Sequence, residues 1–95
     1  VLDKDGAKAG EVARAISADG GEASAHEVSV TDEARMEAVL AGVMETHGQL
    51  DILVNNAGVA IRSKALEMSI EDWNQVLAVN LTGMFLAARI CARHM

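Results

Sequence analysis

The stretch LDILVNNAGVA, residues 50–60, decides the fold. Its first part, from Leu50 to Val54, is nearly all apolar, which predicts a strand covered by helices on both faces. Two asparagines, an alanine and a glycine follow directly. Side-chain amides both donate and accept hydrogen bonds, and small residues let a ligand approach the backbone closely. The stretch therefore predicts a buried strand of a parallel sheet whose end faces a ligand.

The rest of the chain predicts strands and helices in alternation. Val1 to Asp3 is typical of the end of a strand, and a second short strand is expected within residues 23–30. Apolar periodicity predicts helices over about 7–18, from 31 or 32 to 48, and from about 70 to the end. This order, with short connections, predicts a doubly wound parallel α/β sheet, in which ligands bind beyond the carboxyl ends of the strands.

The last predicted helix is apolar on two sides, whereas a helix exposed on one face needs only one apolar side. We expect one side to pack on the sheet and the other to contact further protein. One side carries Trp73, Leu77, Leu81, Met84 and Ala88, and the other carries Val76, Val79, Gly83, Leu86 and Ile90.

The composition disfavours several classes of protein. The 95 residues suit one small domain, and the net charge of −6 disfavours nucleic acid as a partner. There is no continuous apolar run of about 18 residues and no signal-peptide pattern, so no membrane segment is expected. The single cysteine, Cys91, is expected to be a small core or interface residue in a reducing compartment such as the cytoplasm. The three histidines lack metal-ligand spacing with it, so no metal site is expected.

Two polar residues lie at positions where a polar side chain indicates a specific role. Asp3, at a strand end, can accept hydrogen bonds from ribose hydroxyls and would repel a 2′-phosphate, although it could also simply form a turn. Lys4 and Lys8 could instead neutralise such a phosphate. Asn80 lies mid-helix, where burying its amide is costly unless the amide is hydrogen-bonded. We expect a helix irregularity or a bound water there; the alternative is an ordinary satisfied core amide.

Four segments together resemble the classical type of short-chain dehydrogenases/reductases. They are Asp3, SVTD at 29–32, LDILVNNAG at 50–58 and VNLTG at 79–83. The resemblance extends over residues 1–95 and implies part of a Rossmann-like NAD(P)-binding domain, a β-α-β-α-β-α portion. It also implies that a first strand and its glycine-rich turn would precede Val1. A serine and Tyr-x-x-x-Lys would follow Met95, so we expect the 95-residue chain to be inactive alone.

The resemblance implies roles on the adenosine side of a cofactor site. Asp3 matches the acidic residue that selects the cofactor. Ser29 stands where the family often has an aspartate that contacts the adenine amino group, so the hydroxyl is a departure that loses the charge. Val30 matches the next residue, whose backbone also faces adenine.

The resemblance assigns further roles to the two asparagine motifs. Asn56, Ala57 and Gly58 match the segment that lines the adenosine and nicotinamide riboses. Asn80 matches the catalytic asparagine, whose backbone helps to hold a water in a proton relay.

The function that the resemblance implies is hydride transfer between nicotinamide and an alcohol or ketone, of the sugar, polyol or 3-oxoacyl type. Asp3 favours NAD over NADP, and the last helix suggests a homotetramer or homodimer. The alternative is a non-catalytic dinucleotide-binding or regulatory protein. Asn80 weighs weakly against this alternative, because a sensor needs no relay residue.

Overall fold

The structure, a computed structural model, describes residues 1–95. In chain order its elements are β1 (Leu2–Asp3), α1 (Gly6–Ala18), β2 (His26–Glu27), α2 (Glu33–His47), α3 (Ile70–Leu77), a π-helical segment (Ala78–Gly83) and α4 (Met84–Ala92). The two strands are parallel neighbours, with Leu2 opposite His26 and Asp3 opposite Glu27. The last three elements follow one another without a break and form one long helix, Ile70–Ala92.

The helix starts are fixed by local hydrogen bonds. Asp5, Asp32 and Ser69 each accept a bond from the backbone N–H three residues on, at 3.0 to 3.2 Å. Such caps satisfy N–H groups that have no partner within the first turn. Gly48 ends α2 in the left-handed conformation, with φ of 75°, as expected of a glycine at that position.

The predicted strand from Leu50 to Val54 does not form, which corrects the sequence expectation. A strand is defined by hydrogen bonds to a neighbour, and the only ladder in the structure joins β1 to β2. Ile52 and Val54 are each 78% exposed, whereas Leu50 and Leu53 pack against the core. The apolar pattern is present, but the segment has no strand beside it.

The main core lies between α2, α4 and the end of β2, and α1 packs on the two strands. Cys91 belongs to this core, and burial raises the pKa of its thiol, so it is a packing residue as predicted. The seven core residues are Val28, Met36, Val39, Leu40, Ala87, Ile90 and Cys91.

The long last helix has one packed side and one exposed apolar side, as the sequence predicts. Gly83 and Ile90 are buried, whereas Trp73 is 52% exposed and Leu81 is 61% exposed. By length and composition alone, Ile70–Ala92 could cross a membrane, with a mean hydropathy of 1.5 in its most apolar window. Polar residues interrupt this helix, so it contains no continuous apolar run of about 18 residues, and the absence of a membrane segment stays a prediction.

Candidate functional site

A groove of about 550 Å³ lies between β1 and the segment from Leu50 to Val54. Its floor is apolar and includes Met36, Leu40 and Ile90. The groove brings together six of the seven residues that the sequence singled out. We call them the groove rim: Asp3, Ser29, Val30, Asn56, Ala57 and Gly58.

Asp3 presents an oriented carboxylate at the end of β1. Its Oδ1 accepts a hydrogen bond from the Asp5 backbone N–H at 2.8 Å, which is the local turn that aspartate commonly forms. The residue is exposed, and its second carboxylate oxygen is available for a ligand. The turn that the sequence allowed for Asp3 is therefore confirmed, and its role in binding a ligand stays a prediction.

The two lysines near Asp3 differ in what they can do. Lys8 Nζ lies 3.4 Å from Asp5 Oδ2, and the Lys8 backbone N–H donates a hydrogen bond to the same carboxylate. That backbone bond is the main cause of the lowered pKa of Asp5, and the charge of Lys8 adds to it, so the carboxylate is ionised at neutral pH. Lys4 instead lines the groove. Of the two, Lys4 is the cation available to a ligand there.

Ser29 uses its hydroxyl to shape the turn before α2. Its Oγ lies 2.8 Å from Thr31 Oγ1 and accepts a hydrogen bond from the Thr31 backbone N–H at 3.3 Å. These local bonds occupy part of the bonding capacity of the hydroxyl. Val30, next in the chain, is half-buried against the π-helical segment.

Asn80 does not line the groove but holds a residue that does. Its Oδ1 accepts a hydrogen bond from the Val59 backbone N–H, and its Nδ2 donates to the Val59 carbonyl oxygen, both at 2.8 Å. We call these two bonds the Asn80 clamp. Asn80 lies in the π-helical segment, which confirms the predicted irregularity, and its amide is also satisfied within the protein. Wide turns of this kind are frequent at functional sites.

The clamp fixes the loop directly after the asparagine motif. Asn56, Ala57 and Gly58 are exposed just before Val59. A Cβ atom on Gly58 would lie 3.5 Å from Asn80 Oδ1, so the glycine sits beside the clamp. The sequence did not predict the role of Val59. The only signal was the amide of Asn80, which needs hydrogen-bond partners in the middle of a helix.

Two ion pairs between α2 and α4 were also missed. Arg89 pairs with Glu33, and Arg93 Nη1 lies 3.2 Å from Glu37 Oε1. The two acids are four residues apart on α2, and the two arginines are four residues apart on α4. This equal spacing is the sequence signal that could have indicated the two pairs. No group of three His, Cys, Asp or Glu side chains lies close enough to hold a metal ion.

The groove rim has the chemistry that an adenosine requires. It offers a carboxyl oxygen that can accept hydrogen bonds from ribose hydroxyls at Asp3, an apolar surface at Val30 and an exposed amide group at Asn56. Which of these side chains contacts a cofactor stays a prediction.

Comparisons with known proteins agree on one family. The family model described as short chain dehydrogenase matches residues 1–95. Glucose 1-dehydrogenase 2 of Bacillus subtilis (strain 168) is 39% identical over 92 residues, which cover 96% of this chain. An inactive 2-(S)-hydroxypropyl-CoM dehydrogenase 2 of Xanthobacter autotrophicus is 40% identical over 89 residues, or 94% of this chain.

The fold is also that of solved proteins. A metagenomic short-chain oxidoreductase, crystallised in complex with NADP, superposes with a TM-score of 0.90 at 37% identity, over 99% of this chain and 43% of that one. The chain spans 36% of the length of the Bacillus relative and 37% of the Xanthobacter relative. Its fold is therefore Rossmann-like, and the chain belongs to the short-chain dehydrogenase family.

Proposed function

We propose that the protein to which this chain belongs is an NAD(P)-dependent oxidoreductase that interconverts an alcohol and a ketone. The observation that carries the proposal is that Asp3, Val30 and Asn56 line one groove in a chain of this family. When bound, the nicotinamide cofactor supplies or takes the hydride. A sugar, polyol or 3-oxoacyl compound is the proposed substrate class.

This chain supplies the adenosine side of the proposed site. The Asp3 carboxylate, held by the Asp5 N–H, accepts hydrogen bonds from the ribose hydroxyls. Val30 and Ser29 border the adenine, and the segment from Asn56 to Gly58 lies along the riboses. Asn80 fixes that segment through Val59, and we propose that its backbone holds a water that passes the substrate proton.

NAD is the proposed cofactor in preference to NADP. A carboxylate at Asp3 repels a 2′-phosphate, and Lys8 is paired with Asp5, which leaves Lys4 as the nearby free cation. The support for NAD is therefore the carboxylate at the strand end. The observation that favours NADP is a solved relative in complex with NADP.

We infer that a strand of the longer protein fills the apolar floor of the groove between β1 and Leu50 to Val54 and leaves the groove rim free for the cofactor. Both walls present chain segments that lack a neighbour on the groove side, and the floor is apolar. A parallel strand there would complete both ladders and cover Ile52 and Val54, which are strongly exposed without it. The glycine-rich turn that the family resemblance implies would then lie near Asp3.

The proposed partner is a second copy of the protein, which would cover the exposed side of the last helix. Trp73, Leu81 and Phe85 are each more than half exposed there. The other side of the helix is joined to α2 by the two ion pairs, which supports a protein partner rather than lipid on the exposed side. Sedimentation of the whole protein as a monomer would contradict this part of the proposal.

The non-catalytic alternative remains a second candidate, because one relative at 40% identity bears the description inactive. Its clearest mark would be the absence of Tyr-x-x-x-Lys beyond Met95. A protein of that kind would bind dinucleotide through the same groove rim and would not turn over any alcohol or ketone.

Steady-state kinetics and calorimetric binding of the whole protein with NAD and NADP test the proposal. In Asp3→Ala we expect NAD affinity to fall about 10- to 100-fold, because a hydrogen bond to a charged group is lost. NADP affinity should rise, because the repulsion is removed. Asp19→Ala, at the far end of α1, removes the same charge away from the groove and should leave both affinities unchanged.

The outcomes separate the candidates. A wild-type preference for NADP would overturn the choice of NAD alone. Dinucleotide binding without turnover of any tested alcohol or ketone would favour the non-catalytic alternative. A protein that binds neither dinucleotide would contradict both.

A further inference from the structure

Gly83 lies where no other residue would fit without a shift. It is buried at the end of the π-helical segment and faces Val30. A Cβ atom at position 83 would lie 2.6 Å from Val30 Cγ2 and 3.1 Å from Val30 Cβ. Carbon atoms in favourable contact are about 3.5 to 4.0 Å apart, so an alanine would displace Val30 by about 1 Å.

Val30 also lines the groove. Val30 is half-buried and belongs to the groove rim, so it borders both the π-helical segment and the rim, where we propose that the adenine lies. A shift of Val30 away from position 83 would change the shape of the groove rim. Interiors transmit such displacements because they are close-packed and contain little free volume.

We propose that Gly83 is a positioning residue for the adenine end of the cofactor, an inference that rests on the function proposed above. The missing side chain lets Val30 lie against the π-helical segment, and this sets how far Val30 projects toward the adenine. The residue acts through Val30 and does not itself contact the ligand.

The π-helical segment thereby serves two parts of the site. Asn80 fixes the loop after the asparagine motif through Val59, and Gly83 fixes the adenine border through Val30. Because the two contacts involve different partners, a change at Gly83 should weaken adenine binding more than it lowers kcat.

A double-mutant cycle in the whole protein tests this inference, with AMP and NADH as the probes and calorimetry as the readout. Gly83→Ala should bind AMP about tenfold more weakly than the wild type, as expected of an overpacked contact. In the Val30→Ala background the same change should cost less than about twofold, because the methyl groups that clash are absent. A melting curve for each variant separates binding from stability.

Gly42→Ala is the matched control. Gly42 is an exposed glycine in α2, and a Cβ atom there would meet no other atom within 4 Å. AMP and NADH affinities should be those of the wild type, and the melting temperature should not fall, because alanine favours the helix more than glycine does.

The cycle distinguishes the inference from the function on which it rests. An equal loss of affinity in both Val30 backgrounds would overturn the inference, since the crowding would then lie elsewhere, for instance at the Ala78 carbonyl oxygen, 3.3 Å from the added atom. So would unchanged AMP affinity in Gly83→Ala. If that variant does not fold, a folded double variant with the AMP affinity of Val30→Ala supports the inference, and an unfolded one overturns it. A wild type that binds neither AMP nor NADH contradicts the proposed function itself.

Discussion

The two walls of the groove carry the same kind of sequence but differ in structure. Leu2 and Asp3 form a strand because β2 lies beside them, and the two segments exchange backbone hydrogen bonds. The segment from Leu50 to Val54 is at least as apolar and forms no strand. A strand needs a neighbour for its N–H and C=O groups, whereas a helix satisfies most of these groups within itself.

The helices show the other half of this comparison. Each of α1, α2 and α3 starts at a side chain that caps its own first turn, three residues away. Such signals act within a few residues and need no other part of the protein. Local sequence is therefore sufficient to predict the helices of this chain. For a strand it indicates only a tendency, because the strand forms only when a distant segment lies beside it.

The largest expected effect comes from placing a charge in the wall that lacks a neighbour. Ile52→Asp in the whole protein should lower the free energy of unfolding by about 3 kcal/mol or more, if a strand fills the groove and buries this side chain. Chemical denaturation measures the change. If the segment is as exposed in the whole protein as the 78% found for Ile52 here, the variant will differ from the wild type by less than about 0.5 kcal/mol.

Leu66→Asp is the control for that experiment. Leu66 is fully exposed in the loop before α3, so the same charge should change stability by less than about 0.5 kcal/mol. A large loss in both variants would mean that the loop is also covered in the whole protein, and the comparison between the two walls would lose its meaning.

The sequence predicted the parts of the site that depend on local pattern. Asp3 at a strand end, the cap at Asp32 and an irregularity at Asn80 all follow from residue type and position. The residues that bind these side chains could not be predicted, because the fold determines which distant residues come into contact. Val59 is 21 residues from Asn80, and the arginines of α4 are 56 residues from their acids.

The next effect tests a contact between distant parts of the chain. Asn80→Ala removes the clamp and leaves the backbone N–H and carbonyl of Val59 without partners in a partly buried place. We expect a loss of about 1 to 3 kcal/mol in the free energy of unfolding. If Asn80 also serves the proposed proton relay, kcat should fall at least about 100-fold.

Asn74→Ala is the matched control for the clamp. Asn74 is exposed in α3 and should tolerate the change with no loss of stability, because alanine favours a helix more than asparagine does. Equal stability of the two variants would mean that the clamp does not hold the loop. A large fall in kcat with unchanged stability would instead assign Asn80 to the chemistry alone.

The smallest expected effect also concerns a contact between residues far apart in the sequence. It tests whether such a contact must contribute much to stability. Arg93 and Glu37 connect α4 to α2, but their side chains are 58% and 50% exposed. Water and salt weaken such a pair, so Arg93→Ala should cost less than about 1 kcal/mol, and the cost should shrink in high salt. A cycle with Glu37→Ala isolates the pair from the other effects of each change. A coupling above about 2 kcal/mol would show that this part of the α2–α4 contact becomes buried in the whole protein, as proposed for the wall at Ile52.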